Sequence, residues 1–459
     1  MIFTQYYLEC LSQASYLIGD PTTGRAVVVD PRRDIDEYLD DAAEHDLRIE
    51  RVIETHIHAD FLSGHLELSA ATGAPISYGE VADIEFPFEP LQEGQRLSLG
   101  EVTLEILATP GHTPESISVV VYEHPDDKVP YGVLTGDALF VGDVGRPDLA
   151  TTETSSADDL AETLHHSLQD KLLKLPDATR VFPAHGGGSS CGKQLSSETS
   201  STIGEQRKSN YALQARDVKQ FVAEVTEDQP AQPPYFEFTS QRNRQQRDLL
   251  DESPPPSLDV DEVYRLAESG AILLDSREPD DYAAGHWRGA VNIGLDGRFA
   301  EWAGNVLSPE RDIVLVGDPA RARESRIRLS RVGFDRVIGQ LRDLAAVLAQ
   351  RPDLVEVTSR LTAERLAELR DAPGDLQLVD VRGPGEVAEG SIAGALEIPL
   401  PTLTKSFSSL DRATPVVTYC ASGARSMVAA SVLRASGFEE VSDVLGGYGA
   451  WQDAGLPTT

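Results

Sequence analysis

The chain has 459 residues, with 40 Lys plus Arg against 75 Asp plus Glu and a formal net charge of −35. That excess argues against nucleic acid as a partner, and 40% hydrophobic residues in regular runs exclude a disordered acidic tail. At one domain per ~100–200 residues, the length suggests two to four domains.

The acids are spread along the whole chain, and only seven of the 40 cations are lysine. Spread carboxylates with little lysine resemble the surfaces of halophilic proteins, in which dense charge keeps a protein soluble under heavy screening. The competing reading is an electrostatic site for a cation or a basic protein. Cys10, Cys191 and Cys420 are too few and too far apart for a disulfide framework. The N-terminus lacks a basic region followed by an apolar core and a cleavage site, and no stretch reaches the ~18 apolar residues of a membrane span. The expected location is the cytoplasm, with no membrane partner.

From residue 1 to about 220, short β-branched runs alternate with Gly/Pro turns and acidic helical stretches, which predicts an α/β domain. Expected strands are 26–29, 51–54, 102–107, 117–121, 132–134 and 180–182. The stretch QRNRQQRDLLDESPPPS ends in Pro254, Pro255 and Pro256, which predicts an extended, exposed linker and a boundary near residue 252. Beyond it the chain repeats at a spacing of about 105 residues. LLDSREPDDYAAGHWRGAVNI matches LVDVRGPGEVAEGSIAGALEI, with Asp275 and Asp380, Arg277 and Arg382, Gly285 and Gly390, and Gly289 and Gly394 coinciding. These are two copies of one α/β unit, 257–352 and 358–459, behind a larger domain of 1–252.

The strongest chemical signal is THIHADFLSGH, where His56, His58, Asp60 and His65 follow an apolar strand. His112 in ATPGHTPES, Asp137 in LTGDALF and His185 in FPAHGGG fall in the same kind of place. Four strand ends, each delivering a His or Asp beside Gly or Pro, point to a metal centre. A lone histidine after a strand would more simply be a packing or surface residue.

The order of these motifs resembles the metallo-β-lactamase fold, an αββα sandwich. THIHAD, GHTPES, TGDALF, GDVGRPDL and PAHGGGS resemble its persulfide dioxygenase branch over about residues 1–250. Dinuclear hydrolases of the fold, such as glyoxalase II, carry HxHxDH, whose last Asp-His pair holds a second metal. Here Phe61 follows Asp60, and a phenyl ring cannot ligate. The resemblance maps the first site onto His56, His112 and Asp137, a facial set that leaves positions open on one non-haem Fe(II). Reactions of O₂ need a redox metal, which zinc is not. His58, Asp60 and His185 become outer residues that orient ligands, or remnants of a second metal site. His65 has no assigned role: it is either a partner for the second site or a plain helix-start residue.

Arg146 matches a family position that contacts the carboxylate of a thiol tripeptide, a task suited to a planar guanidinium; a surface arginine closing a turn is the plainer reading. Asn210 matches a segment near the pocket, without a readable role. Cys191, six residues beyond His185, either relays a persulfide or fills a small pocket. Cys10 reads as strand packing.

The last copy carries VVTYCASGARSMVAASVLRASGF: a strand, Cys420, then a small-residue loop to Arg425 that opens a helix. Backbone N–H groups of such a loop favour thiolate over the free thiol, whose pKa is about 8.5, and form a cradle for anionic sulfur. This resembles rhodanese, with LGGYGAW in support and Tyr448 and Trp451 read as core. Cys420 and Arg425 bound a six-residue loop, as in sulfurtransferases; Cys-dependent phosphatases need one more residue, and Ser426 occupies that position. In the middle copy, Val316 falls opposite Cys420 and Arg321 opposite Arg425, so that copy carries no persulfide.

The expected fold is therefore an αββα sandwich followed by two rhodanese-like α/β domains with central parallel sheets. The resemblance implies an Fe(II) enzyme of sulfide detoxification. It would oxidise a thiol persulfide with O₂ to sulfite, coupled through Cys420 to making or using thiosulfate. The alternative is a zinc thioester hydrolase of the glyoxalase II kind with an accessory sulfurtransferase domain. Self-association stays open.

Overall fold

The computed structural model describes residues 1–152 and 155–459. They form two compact units: 1–230 with 236–250, and 231–235 with 251–459. Among the described residues no helix is long and apolar enough to cross a membrane.

The first unit holds two six-stranded sheets. One runs β1 (Ile2–Leu8), β2 (Gln13–Asp20), β3 (Arg25–Val29), β4 (Arg48–Ile53), β5 (Ile76–Gly79) and β6 (Glu89–Leu91) in sequence order. The other is made of β7 (Arg96–Ser98), β8 (Thr103–Ala108), β9 (Ile117–Tyr122), β10 (Gly132–Gly136), β11 (Arg180–Pro183) and β12 (Ser201–Thr202). Period-2 alternation sorts each strand between two layers. Val27 and Val29 of β3 face the inter-sheet core with Tyr16, Ile53, Leu104, Val119 and Phe182, while Ala26 and Val28 face outward onto Tyr38 and Ala42 of the helix Asp36–Glu44. On the opposite side, Val120, Val133 and Val181 pack under Leu164 and Leu168 of the helix Ala157–Asp170. That helix starts where Ser156 and Asp159 satisfy each other's backbone N–H in a capping box. The result is the expected αββα sandwich, and each of the six expected strands is present to within a few residues.

In the second unit, β13 (Ser257–Leu258), β14 (Ile272–Asp275), β16 (Val291–Asn292), β17 (Ile313–Leu315) and β18 (Val337–Leu341) form one sheet in the order β13-β18-β17-β14-β16, every pair parallel. A short antiparallel pair, β15 (His286–Trp287) with β19 (Val355–Glu356), lies beside it. The other sheet repeats the topology: β20 (Ser359–Leu361), β21 (Gln377–Asp380), β22 (Leu396–Glu397), β23 (Val416–Tyr419) and β24 (Val441–Val444) in the order β20-β24-β23-β21-β22, again all parallel. The repeat seen in the sequence is thus one topology used twice. Tyr448 and Trp451 lie in the core of the last copy, as expected.

The copies share a core. Met427, on the helix Ala424–Ala435, packs with Val314, Val316 and Trp287 of the first copy, and the Asn292 N–H donates to Ser431 Oγ at 2.9 Å. The proline linker is extended but not free. Pro255 is buried, Pro256 O accepts from Gln340 N at 2.8 Å, and Asp251 and Glu252 pair with Arg326 and Arg323.

Candidate functional site

β4, β8, β10 and β11 each give way to a loop at one rim of the sandwich, and His56, His112, Asp137 and His185 follow them. His56, His112 and Asp137 are buried, and one ligand atom from each lies within 4.8 Å of the others. Nε2 of His56 and of His112 sit 3.7 Å and 3.5 Å from Asp137 Oδ2.

Local hydrogen bonds decide which ring atoms face inward. Thr55 Oγ1 donates to Asp30 Oδ2 at 2.8 Å, so toward His56 Nδ1, 3.0 Å away, it acts as acceptor. Nδ1 of His112 lies 2.8 Å from the Arg146 carbonyl oxygen, which can only accept. Both rings therefore carry hydrogen on Nδ1 and turn Nε2 toward the carboxylate. Burial and neighbouring imidazoles, His58 first, hold His56 well below the usual histidine value. His56 Nε2 and Asp137 Oδ2 have no hydrogen-bond partner. Lone pairs converging in a buried space without a proton between them are relieved by a cation, so this donor set suits a metal ion.

The remaining candidates divide into two groups. Asp60, His185 and Cys191 bring ligand atoms within 4.8 Å of one another. His185 bridges Asp137, Nδ1 to Oδ1 at 2.8 Å, and Asp60, Nε2 to Oδ2 at 2.7 Å. Burial opposes its charge, but the two carboxylates push it well above the usual value. His58 lies apart from this group: Nε2 is 3.1 Å from Asp30 Oδ1 and 3.4 Å from Glu54 Oε2. Burial opposes that charge too, yet Asp30 and Glu54 outweigh it and push the imidazole up to about 10. His65 stacks on Phe86 and faces Glu54.

Other expectations meet a different geometry. The Arg146 guanidinium is buried and four of its five N–H groups are committed: Nε and Nη2 fork onto Asp148 at 2.7 and 2.6 Å, Nη2 also reaches the Pro230 carbonyl and Nη1 the Ser190 carbonyl. A carboxylate ligand would have to displace Asp148. Cys191 is fully buried, and burial together with Asp60 and Asp137 raises its thiol well above the ordinary value. Cys10 sits half-buried in the turn after β1 rather than in a strand. Asn210 closes the helix Ile203–Ser209 and donates to Asp143 O at 2.8 Å.

Several supporting residues carry no local signal. Asn243 donates to the carbonyls of His58 and Phe61, both at 2.8 Å, and accepts from Ser63 N at 2.9 Å, clamping the THIHADF loop from a distant helix. Glu115 accepts from Ile57 N at 2.9 Å. Asp30 and Arg247 act likewise across 25 and 184 residues, whereas Glu115 and Asp143 lie inside the motifs GHTPES and GDVGRPDL and Glu54 directly precedes THIHAD.

In the last copy, Cys420 follows β23 and is fully buried, and the Gly423 N–H donates to its sulfur at 3.1 Å. LGGYGAW pins this loop from beneath: Tyr448 N donates to Cys420 O at 2.7 Å and Gly449 N to Ala421 O at 3.0 Å. A Cβ on Gly447, whose φ is +59°, would overlap the Cys420 carbonyl. Arg425 forks onto Glu386 at 2.7 and 2.6 Å, and Glu386 also accepts from Gly383 N. In the middle copy, Val316 is buried and Arg321 pairs with Asp296.

Comparison with known proteins agrees with this geometry. The model of the metallo-beta-lactamase superfamily matches residues 8–185, and that of the rhodanese-like domain matches 259–340 and 362–454. The mitochondrial persulfide dioxygenase ETHE1 of Bos taurus is 30% identical over 203 residues, 43% of this chain and 70% of that protein. The chain is a metallo-β-lactamase superfamily member joined to two rhodanese-like domains. A metallo-beta-lactamase structure from Staphylococcus aureus subsp. aureus COL matches with a TM-score of 0.68 at 33% identity, covering 74% of this chain and 98% of that one. A beta-lactamase hydrolase-like protein of Agrobacterium fabrum is 30% identical over 241 residues, and the match spans 51% of its length. Within this superfamily member, Phe61 is the departure from the dinuclear HxHxDH pattern: its ring is fully buried, 4.4 Å from that of His58.

Proposed function

We propose that the first unit is an Fe(II) persulfide dioxygenase and that the last copy is a sulfurtransferase acting on the same pool of sulfur. The observation that carries this reading is the convergence of two buried imidazoles and one carboxylate, with His56 Nε2 and Asp137 Oδ2 left without a partner, in a chain that also holds a cysteine in a backbone cradle. His56, His112 and Asp137 would hold the metal. Bound there, Fe(II) supplies the redox chemistry that O₂ requires.

The chain's own residues do the rest. Thr55 and the Arg146 carbonyl fix the two rings in one tautomer each. Phe61 and Phe140 are fully buried against His58 and His185 and keep water from the rim. His185, between Asp60 and Asp137, can hold a proton beside the ligand carboxylate. The overall reaction takes one thiol persulfide, one O₂ and one water to the thiol, sulfite and two protons. Cys420 would carry a sulfane sulfur as its own persulfide. Attack by sulfite on the outer sulfur breaks the S–S bond, forms thiosulfate and leaves the cysteine thiol; the reverse transfer loads Cys420. Arg425, whose charge interacts with Cys420, would serve that anion once Glu386 shares it. A reducing, cytoplasmic setting belongs to this reading, since it keeps Cys420 available as thiol.

Metal analysis of freshly purified protein, paired with O₂ uptake on glutathione persulfide, tests it. The expected result is about one iron per chain with uptake matched by sulfite; zinc alone with no uptake would overturn it. The zinc thioester hydrolase is kept as a second reading because Asp60, His185 and Cys191 gather where a second cation could sit. Hydrolysis of a glutathione thioester by a protein loaded with about two zinc ions would favour it.

A further inference from the structure

Beneath the Cys420 loop lies a carboxylate that sulfur transfer does not use. Asp443 belongs to β24, in register with Thr418 of β23 on one side and Arg360 of β20 on the other, and its side chain is fully buried. Ser426 Oγ lies 3.4 Å from Asp443 Oδ2 and 3.8 Å from Cys420 Sγ, so one hydroxyl separates the carboxylate from the sulfur. An uncompensated buried carboxylate there would oppose a sulfur anion and draw the Ser426 proton to itself.

Arg360 answers it. Nε donates to Asp443 Oδ1 at 3.0 Å and Nη2 to Oδ2 at 2.8 Å, a fork across both oxygens. Nη2 also lies 3.4 Å from the carbonyl oxygen of Gly423, the residue whose N–H meets the sulfur. The remaining nitrogen leaves the copy: Nη1 donates at 2.6 Å to Asp280, on the helix Pro279–Ala284 of the cysteine-less copy. Asp280 is 82% exposed and Arg360 only 12%, so the contact adds little stability but fixes the direction of a nearly buried guanidinium.

We propose that Arg360, aimed by Asp280 of the cysteine-less copy, is a positioning residue that cancels the charge of Asp443 and so keeps the Cys420 sulfur available as a nucleophile. This rests on the reading of Cys420 as the sulfur carrier, and it gives the copy without a cysteine a part in the other copy's chemistry. The charged groups around Cys420 form three pairs: Arg360 with Asp443, Arg425 with Glu386, and Arg382 with Asp380. Tyr419 and Tyr448 lie against Arg382, and Glu301 of the first copy faces Arg425. Burial pushes the Asp443 carboxyl above its usual value and Arg360 is the first group to oppose this, so removing Arg360 alone takes away the counter-ion of the carboxylate beneath the sulfur.

The test is the rate of alkylation by iodoacetamide, read on the Cys420 peptide of the full-length protein across pH. Arg360→Met should raise the midpoint by about one unit, slowing alkylation at neutral pH about tenfold. Asp280→Asn should raise it by less. The double variant Arg360→Met/Asp443→Asn should return it toward the wild type, which a merely structural role would not do. An unshifted midpoint in folded Arg360→Met, or a double variant as shifted as the single one, overturns the proposal. Should Arg360→Met fail to fold, Asp280→Asn carries the test from its exposed position, and an unchanged midpoint there overturns it. Incubating wild type with thiosulfate separates the two readings. Failure of Cys420 to gain the mass of one sulfur atom would sink the carrier role and leave the alkylation comparison standing.

Discussion

At the scale of single residues, the metal centre depends on a position that has no side chain. A Cβ on Gly145 would overlap the Asp137 carbonyl oxygen and press on His112 Nδ1, the atom that fixes that ring's tautomer. Gly145→Ala should therefore cost about 1–3 kcal/mol and lower the bound metal content, seen in thermal unfolding and metal analysis. Glu67 makes a pH-dependent contribution nearby. Burial by itself would raise its carboxyl, but Arg247 and Arg33 hold it below the usual 4.5. A depressed folded value means stability that is present above the unfolded value and lost as pH falls through the folded one. Glu67→Gln should be less stable than wild type at neutral pH, with the difference shrinking below about 4.5; urea unfolding at both ends of that window checks it.

At the scale of elements, the segment Phe236–Leu250 matters more than its polar composition suggests. It closes the first unit, and Asn243 holds the loop that carries His56, His58 and Asp60. Asn243→Ala leaves two carbonyls and one N–H buried without this partner. It should cost about 2–4 kcal/mol and speed loss of the bound metal to a chelator.

This is also where sequence reading reaches its limit. His56, His112, Asp137 and Cys420 were legible because each sits in a short motif directly after an apolar strand, where local spacing and chemistry coincide. Asn243, Asp30, Arg360 and Asp443 were not, because each acts across a fold contact far from the residue it serves, and a polar residue on a helix or strand looks the same whether or not it has that partner. Arg146 shows the converse: a motif-matched arginine whose neighbour Asp148, two residues on, already takes its fork.

At the scale of the whole molecule, the charge of −35 sits oddly with the proposed anionic sulfur substrates, which it would repel in dilute buffer. On the proposed function, substrate steering is thus a poor explanation of the charge, and the adaptation to salt expected from the sequence is the reading to test. Turnover and thermal stability should hold or rise as KCl approaches molar concentration; a protein fastest in dilute buffer would count against this.

The shared core of the two rhodanese-like copies bears on how such a chain can change over time. A copy without its cysteine looks expendable, yet its interior includes Met427 of its neighbour, and the Asn292 N–H is satisfied by Ser431 across the same seam. Excising it would strip one face of the helix that begins at the neighbour's reactive loop. Point mutation could erase the first copy's chemistry one residue at a time, whereas deletion is a step that lineages carrying this seam cannot readily take. The Asp275–Arg277 pair mirrors Asp380–Arg382, so both copies hold the same ion pair at the end of the corresponding strand, with or without a cysteine.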